Sequence, residues 1–349
     1  MPETVEANIQ QAESSAAHVA ARRGALADFV DTTKPGITKL VTITSVVGFG
    51  MSLLARAWRG EVVITPTLPL ISACLGAAIG TALTASCANA LNQVMERDRD
   101  ALMIRTRSRA VAAGRLSAKT VSLGAILLGV LGTLLLVATC GVIPAAVSTL
   151  TILSYLLVYT PMKPVSTWST IVGAVPGALP TLIGWTAGAG IAATAQESPT
   201  TAALRSLGDA GGWSLFSILF VWQVPHFMAI AWKYREDYAK GGYRVLPVVD
   251  TGGTRTPRSV MIWTALMIPA SLWPVLATGS SGFGKSVLGP VYAAAALLLG
   301  GWFAWKALRF VRERSDASAR GVFIASVIYL PLLLMVMVAD ALGRHILMR

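Results

Sequence analysis

The sequence predicts an all-α, polytopic membrane protein with nine transmembrane helices. Two observations carry this. Hydrophobic residues make up 54% of the 349 and charged residues only 13%, a balance outside the range of ordinary soluble domains. The apolar residues also gather into runs long enough to cross a hydrocarbon layer of about 30 Å. A third observation, the placement of lysine and arginine, orients the chain.

Residues 1–33 are polar and rich in Ala, Ser and Glu, the composition of a flexible tail. They lack the apolar h-region of a signal peptide, and Glu3, Glu6 and Glu13 are unlike an acid-poor transit peptide. The twin arginines Arg22 and Arg23 have no apolar run behind them for export. Residues 34–349 read as a single transmembrane domain. Its nine apolar segments lie near 37–55, 68–90, 120–139, 142–160, 168–188, 213–232, 259–278, 286–305 and 321–342. Pro144, Pro176, Pro180, Pro225, Pro269, Pro274 and Pro331 fall inside them. Prolines are tolerated there when neighbouring helices satisfy the freed backbone groups.

Of the 29 Lys and Arg residues, all but six (Arg56, Arg59, Arg205, Lys285, Arg344 and Arg349) fall on one side of the nine spans. The positive-inside rule then expects a cytoplasmic N-terminus and a C-terminus outside. The same loops account for the net charge of +12 through an anionic inner leaflet, so no nucleic acid is called for. Cys74, Cys87 and Cys140 sit in apolar segments without paired spacing, as packing residues rather than a disulfide or zinc framework.

The chemistry is concentrated after the second span. Asn92, Glu96 and Asp100 stand four residues apart, so on a helix they share one face over about 12 Å. Arg105, Arg107 and Arg109 follow. Oxygen ligands beside arginines suit a magnesium-bound diphosphate: Mg²⁺ takes one or two carboxylates plus waters and substrate phosphates, and arginine pairs directly with phosphate oxygens. The alternative is a solvated loop whose basic residues only set topology. Asn92, in register with both acids, weighs against it, because an amide entering the bilayer needs a partner.

A second polar stretch, Trp222 to Pro247, follows the sixth span and carries Arg235-Glu236-Asp237-Tyr238, Lys240 and Tyr243. Its acids fall on the same side as the ladder, so two loops can close over one diphosphate. His226, one of three histidines and the only one inside a predicted span, is a functional candidate, because a polar ring buried in a span needs a partner. The alternative is a hydrogen bond to a neighbouring helix. Tyr155, Tyr159, Trp222, Phe227 and Trp232 read as interface anchors, although their ring faces suit a cation.

The pattern Asn-x-x-x-Glu-x-x-x-Asp, the Arg-Thr-Arg run and Arg-Glu-Asp-Tyr…Gly-Tyr…Leu-Pro resemble those of the UbiA-type intramembrane prenyltransferases. Lys34-Pro-Gly-Ile-Thr38, Tyr159-Thr-Pro-Met-Lys163, Gly173 to Pro180 and Val224-Pro-His-Phe227 are similar to the heme-farnesylating branch of that family. The likeness covers roughly residues 30–342. It implies a bundle around a central cavity and transfer of farnesyl from farnesyl diphosphate to a vinyl group of heme b, with hydration. It also implies a bacterial inner-membrane location and heme A synthase as a partner. By matching positions, Asn92, Glu96, Asp100 and Asp237 would bind Mg²⁺. Arg105, Arg109, Lys163, Lys34 and Lys240 would contact phosphate, and His226 would bind heme or transfer a proton.

The sequence departs from the family pattern at Ala110, at Pro164 and at Glu96, where many relatives carry proline, arginine and aspartate. Its single well-placed second-loop acid, Asp237, sets it apart from relatives that prenylate an aromatic quinone precursor, which is the competing acceptor. A transporter would place its ionisable residues near the membrane midplane on repeated, broken helices, and here they cluster at one edge.

Overall fold

The computed structural model describes residues 24–194, 196–278 and 286–347. The described residues form helices and turns only, and nine of the helices are long and apolar enough to cross a membrane. In chain order the helices are α1 (Ala25–Thr32), α2 (Pro35–Trp58), α3 (Leu68–Asp100), α4 (Ala118–Cys140), α5 (Val142–Met162), α6 (Ser169–Ile191), α7 (Pro199–Ser206), α8 (Ala210–Lys233), α9 (Arg235–Lys240), α10 (Leu246–Val249), α11 (Arg255–Ala277), α12 (Pro290–Glu313) and α13 (Asp316–Leu347). The spanning helices are α2, α3, α4, α5, α6, α8, α11, α12 and α13.

Each spanning helix packs against the next, and α13 returns to α2, so the nine form a closed ring. Two cross-contacts, α2 with α6 and α8 with α13, draw the ring inward. Helix α6 is the most enclosed, with 78% of its apolar window buried. Small residues permit this, because packing in lipid depends on close backbone approach. A side chain at Gly184 would land on the Ser45 carbonyl of α2, and one at Gly48 on the Thr181 carbonyl of α6.

Several sequence expectations shift. The second span does not stop at 90: α3 runs unbroken to Asp100 over 33 residues, or about 50 Å, so its last turns project beyond a hydrocarbon layer of about 30 Å. Ser117 caps α4 by accepting from the Thr120 amide. The eighth span begins at Pro290 and the ninth at Asp316. Because α13 reaches Leu347, His345 also lies in a helix, and His226 is not alone in that respect.

The polar tail is shorter than expected. Residues 25–32, assigned to it from composition, form α1, which docks through the buried carboxylate of Asp28. Arg115 donates to both Asp28 oxygens at 3.0 Å. The remainder of the expected tail, residues 1–23, lies outside the described residues. At the opposite end of the bundle Arg56, buried, pairs with Glu61 and Asp209 and ties α2 to the start of α8.

Candidate active site at the overhang of helix α3

The overhang of α3 is not a solvated loop. Asn89, Asn92, Gln93, Glu96 and Asp100 are all buried, Asn92 fully. Two amides beside the ladder anchor it to the α1–α2 junction. Asn89 donates to the Thr33 carbonyl and Thr38 hydroxyl, and Gln93 to the Thr32 carbonyl. Neither amide was singled out from the sequence. The signal was present, since three amides within five residues of a spanning helix each demand a partner.

Each rung of the ladder meets one cation. Lys34 Nζ donates to Asn92 Oδ1 at 2.8 Å, Lys163 Nζ to Glu96 Oε1 at 2.6 Å, and Arg109 to Asp100 Oδ2 at 2.6 Å. Lys34 stands in the left-handed region at φ 50°, unusual for a residue with a Cβ, just before the proline that starts α2. Burial holds its pKa down to about 7, with Arg109 and Lys163 adding repulsion. Burial also works against the Lys163 charge, but Tyr159 and Glu96 outweigh it and hold its pKa above the lysine value.

A six-residue π turn, Ser154–Tyr159, interrupts α5. Such turns often mark functional sites, and this one directs two tyrosines to the ladder. The Tyr155 hydroxyl donates to Asn92 Oδ1 at 3.4 Å, and the Tyr159 ring carries Lys163 Nζ 4.5 Å from its centroid. The Asn92 amide donates to the Thr160 hydroxyl at 3.1 Å. Gly173 makes room, since a side chain there would strike the Tyr159 ring. The sequence favoured plain interface anchors for both tyrosines. The structure puts them in the site.

The second loop joins through both side chains and backbone. Asp237 Oδ1 and Oδ2 accept from the amides of Ile104 and Arg105 at 3.1 and 3.0 Å, which lowers its pKa, Arg105 first. The Arg105 side chain lies over Tyr234 and Tyr238, 5.3 and 5.6 Å from their centroids. Arg99 donates to the Gly241 carbonyl, and the Arg244 amide to the Lys163 carbonyl. Lys240 is exposed at the end of α9, where its charge also favours ionised Asp237. The Tyr243 ring, buried beside these groups, closes the site. Replacing Asp237 by alanine frees the 104–105 loop, and the expected result is a rise of about tenfold in KM for the diphosphate substrate with a smaller change in kcat, read by steady-state kinetics.

His226 sits elsewhere, between α8 and α13. Its Nδ1 lies 2.8 Å from Ser326 Oγ, and its ring stacks on Trp222 and Phe323 at 4.8 and 5.3 Å.

The ladder suits a divalent ion. Its donors are all oxygens, and Asp100 Oδ1 is buried without a hydrogen-bond partner. Among the described residues no three His, Cys, Asp or Glu side chains converge as a closed metal set, so Asp237 does not complete a cage with Glu96 and Asp100. A site with one or two carboxylates is what Mg²⁺ uses when substrate phosphates and waters supply the rest.

A sequence model of the UbiA prenyltransferase family matches residues 42–330. The chain belongs to that family. UbiA-family relatives include a protoheme IX farnesyltransferase of Solibacter usitatus, 40% identical over 90% of this chain and 99% of its own length. Another, from Opitutus terrae, is 39% identical over 90% of this chain and 95% of its own. The fold is similar to that of a digeranylgeranylglyceryl phosphate synthase, with a TM-score of 0.67 at 14% identity, covering 91% of this chain and 99% of that one. A UbiA homologue from Aeropyrum pernix gives a TM-score of 0.54 at 18% identity, covering 84% and 97%.

Proposed function

We propose that this prenyltransferase moves the farnesyl group of farnesyl diphosphate onto a vinyl group of heme b, giving heme O and diphosphate. The supporting observation is the buried ladder with one cation on each rung, in a chain about 40% identical to protoheme IX farnesyltransferases along nearly its whole length. Asn92, Glu96 and Asp100 would hold Mg²⁺. Lys163, Arg109 and Lys34, already at the ladder, would turn to phosphate oxygens, with Arg105 and Lys240 at the rim. Asp237 acts by holding the Arg105 loop in place. Magnesium, when bound, would offset charge building on the leaving oxygens.

The farnesyl C–O bond breaks with its electron pair leaving on diphosphate, and Lys163 and Arg109 stabilise that charge. The Tyr155 and Tyr159 rings border the position of the resulting allylic cation and keep water away from it. The heme vinyl supplies the electrons of the new C–C bond. Water then adds to the cation formed on the vinyl carbon and loses a proton, leaving a hydroxyethylfarnesyl chain. The chain would lie in a bacterial inner membrane with the ladder end cytoplasmic and the C-terminus periplasmic, and heme A synthase would take up the product.

The test is an acceptor panel. Detergent-purified protein is given labelled farnesyl diphosphate, Mg²⁺ and either heme b or 4-hydroxybenzoate. Label on heme alone is the expected result, and label on the aromatic acid would move the chain to the quinone-precursor branch.

A further inference from the structure

We infer that His226 binds the heme iron through Nε2 and that Ser326 is the positioning residue that fixes its tautomer; this rests on heme b as the acceptor. The hydrogen bonds decide the tautomer. Ser326, buried on α13, donates its hydroxyl proton to the Phe323 carbonyl at 2.6 Å. A hydroxyl has one proton to give, so the 2.8 Å contact with His226 is Nδ1–H donating and Ser326 Oγ accepting. Nε2 therefore carries the lone pair. Metal-binding histidines divide their ring nitrogens in this way, one donating to a fixed oxygen and the other facing the metal.

The ring is held by its neighbours. Trp222 stacks on it at 4.8 Å and 19°, and Phe323 at 5.3 Å and 30°. The Trp222 indole N–H donates to the Ser326 carbonyl at 2.7 Å, so tryptophan and histidine are tied to the same residue of α13. Phe227, itself exposed, meets the imidazole at 5.8 Å and 64°. An aromatic frame of this kind suits a flat apolar macrocycle whose iron needs a fifth ligand.

Two cations stand where the macrocycle's carboxylates would emerge. Lys233 follows His226 by seven residues, two turns along the same face of α8 and about 10 Å nearer the ladder end. Arg320, exposed on α13, lies one turn before Phe323 in the same direction. Both suit propionates at the membrane boundary. Tyr234, next to Lys233, carries the Arg105 guanidinium on its ring at 5.3 Å. That contact joins the propionate end of this surface to the loop that carries Arg105.

Full-length protein in detergent is titrated with heme b and followed by absorption and electron paramagnetic resonance. The wild type is expected to show a nitrogen-ligated iron spectrum. His226→Gly is expected to lose that spectrum and bind heme at least about tenfold more weakly, with added imidazole restoring the spectrum. Ser326→Ala is expected to weaken binding by about tenfold, with Ser326→Thr recovering most of it. An unchanged spectrum in His226→Gly, or a lost spectrum that imidazole does not restore, would overturn the assignment. Loss of turnover with an unchanged spectrum would make His226 a proton-transfer group instead. A wild type that binds no heme would overturn the acceptor itself, a distinct failure.

Discussion

Replacing Asp100 by asparagine is expected to lower kcat/KM with farnesyl diphosphate by about 10²–10³-fold while leaving the fold intact. The residue is 1% exposed. One oxygen takes the Arg109 guanidinium at 2.6 Å, and the other is buried and unpartnered. Asparagine keeps the volume and loses the charge. The lost charge is what a divalent ion would meet and what keeps Arg109 aligned on the ladder. The α3 overhang should hold, because Asn89, Gln93 and the Lys163–Glu96 pair remain. Kinetics at saturating magnesium, alongside thermal unfolding in detergent, separate the two effects. A variant within a few-fold of wild type would remove Asp100 from the site.

The largest structural effect is expected at Gly184. A valine there would push into the Ser45 carbonyl and the Phe49 amide of α2. Backbone cannot swing aside as a side chain can, so α2 and α6 must separate. Overpacking of this kind costs about 3 kcal/mol or more. It would open the α2–α6 crossing beneath Lys34 and the ladder. Gly50→Ala is the control: it lies on α2, the helix against which Gly184 packs, with open space where its Cβ would stand, and losing a helical glycine stabilises by roughly 0.5–1 kcal/mol. Fluorescence-detected size exclusion after a heat step should show Gly184→Val lost or aggregated and Gly50→Ala at or above wild type.

The spans were legible in the sequence because membrane burial demands long apolar runs, and all nine runs correspond to helices. Where helices end was less legible, for a physical reason. Glu96, Arg97, Asp98, Arg99 and Asp100 depress hydropathy, yet one face of that segment is buried against Lys34, Lys163 and Arg109 while the others meet water. Helix α1 escaped notice because it is held by single contacts, the Asp28–Arg115 pair and the Phe29 ring, rather than by an apolar run. The ladder's four-residue spacing survived folding, and Lys34, Lys163 and Arg109, expected from the sequence as phosphate contacts, stand on its rungs. The partner atoms were not readable. The sequence places Asp237 near the ladder, and only the fold shows both its oxygens on backbone amides. The π turn that brings Tyr155 and Tyr159 to Asn92 and Lys163 depends on a register shift that no spacing pattern announces.

The most direct measurement of the central claim is mass spectrometry of the product made by the purified chain from heme b and farnesyl diphosphate, with and without magnesium. The expected result is a hydroxyethylfarnesyl heme that forms with magnesium, disappears under chelation and falls to trace levels in Asp100→Asn. Unmodified heme under every condition, from protein that remains folded, would contradict it.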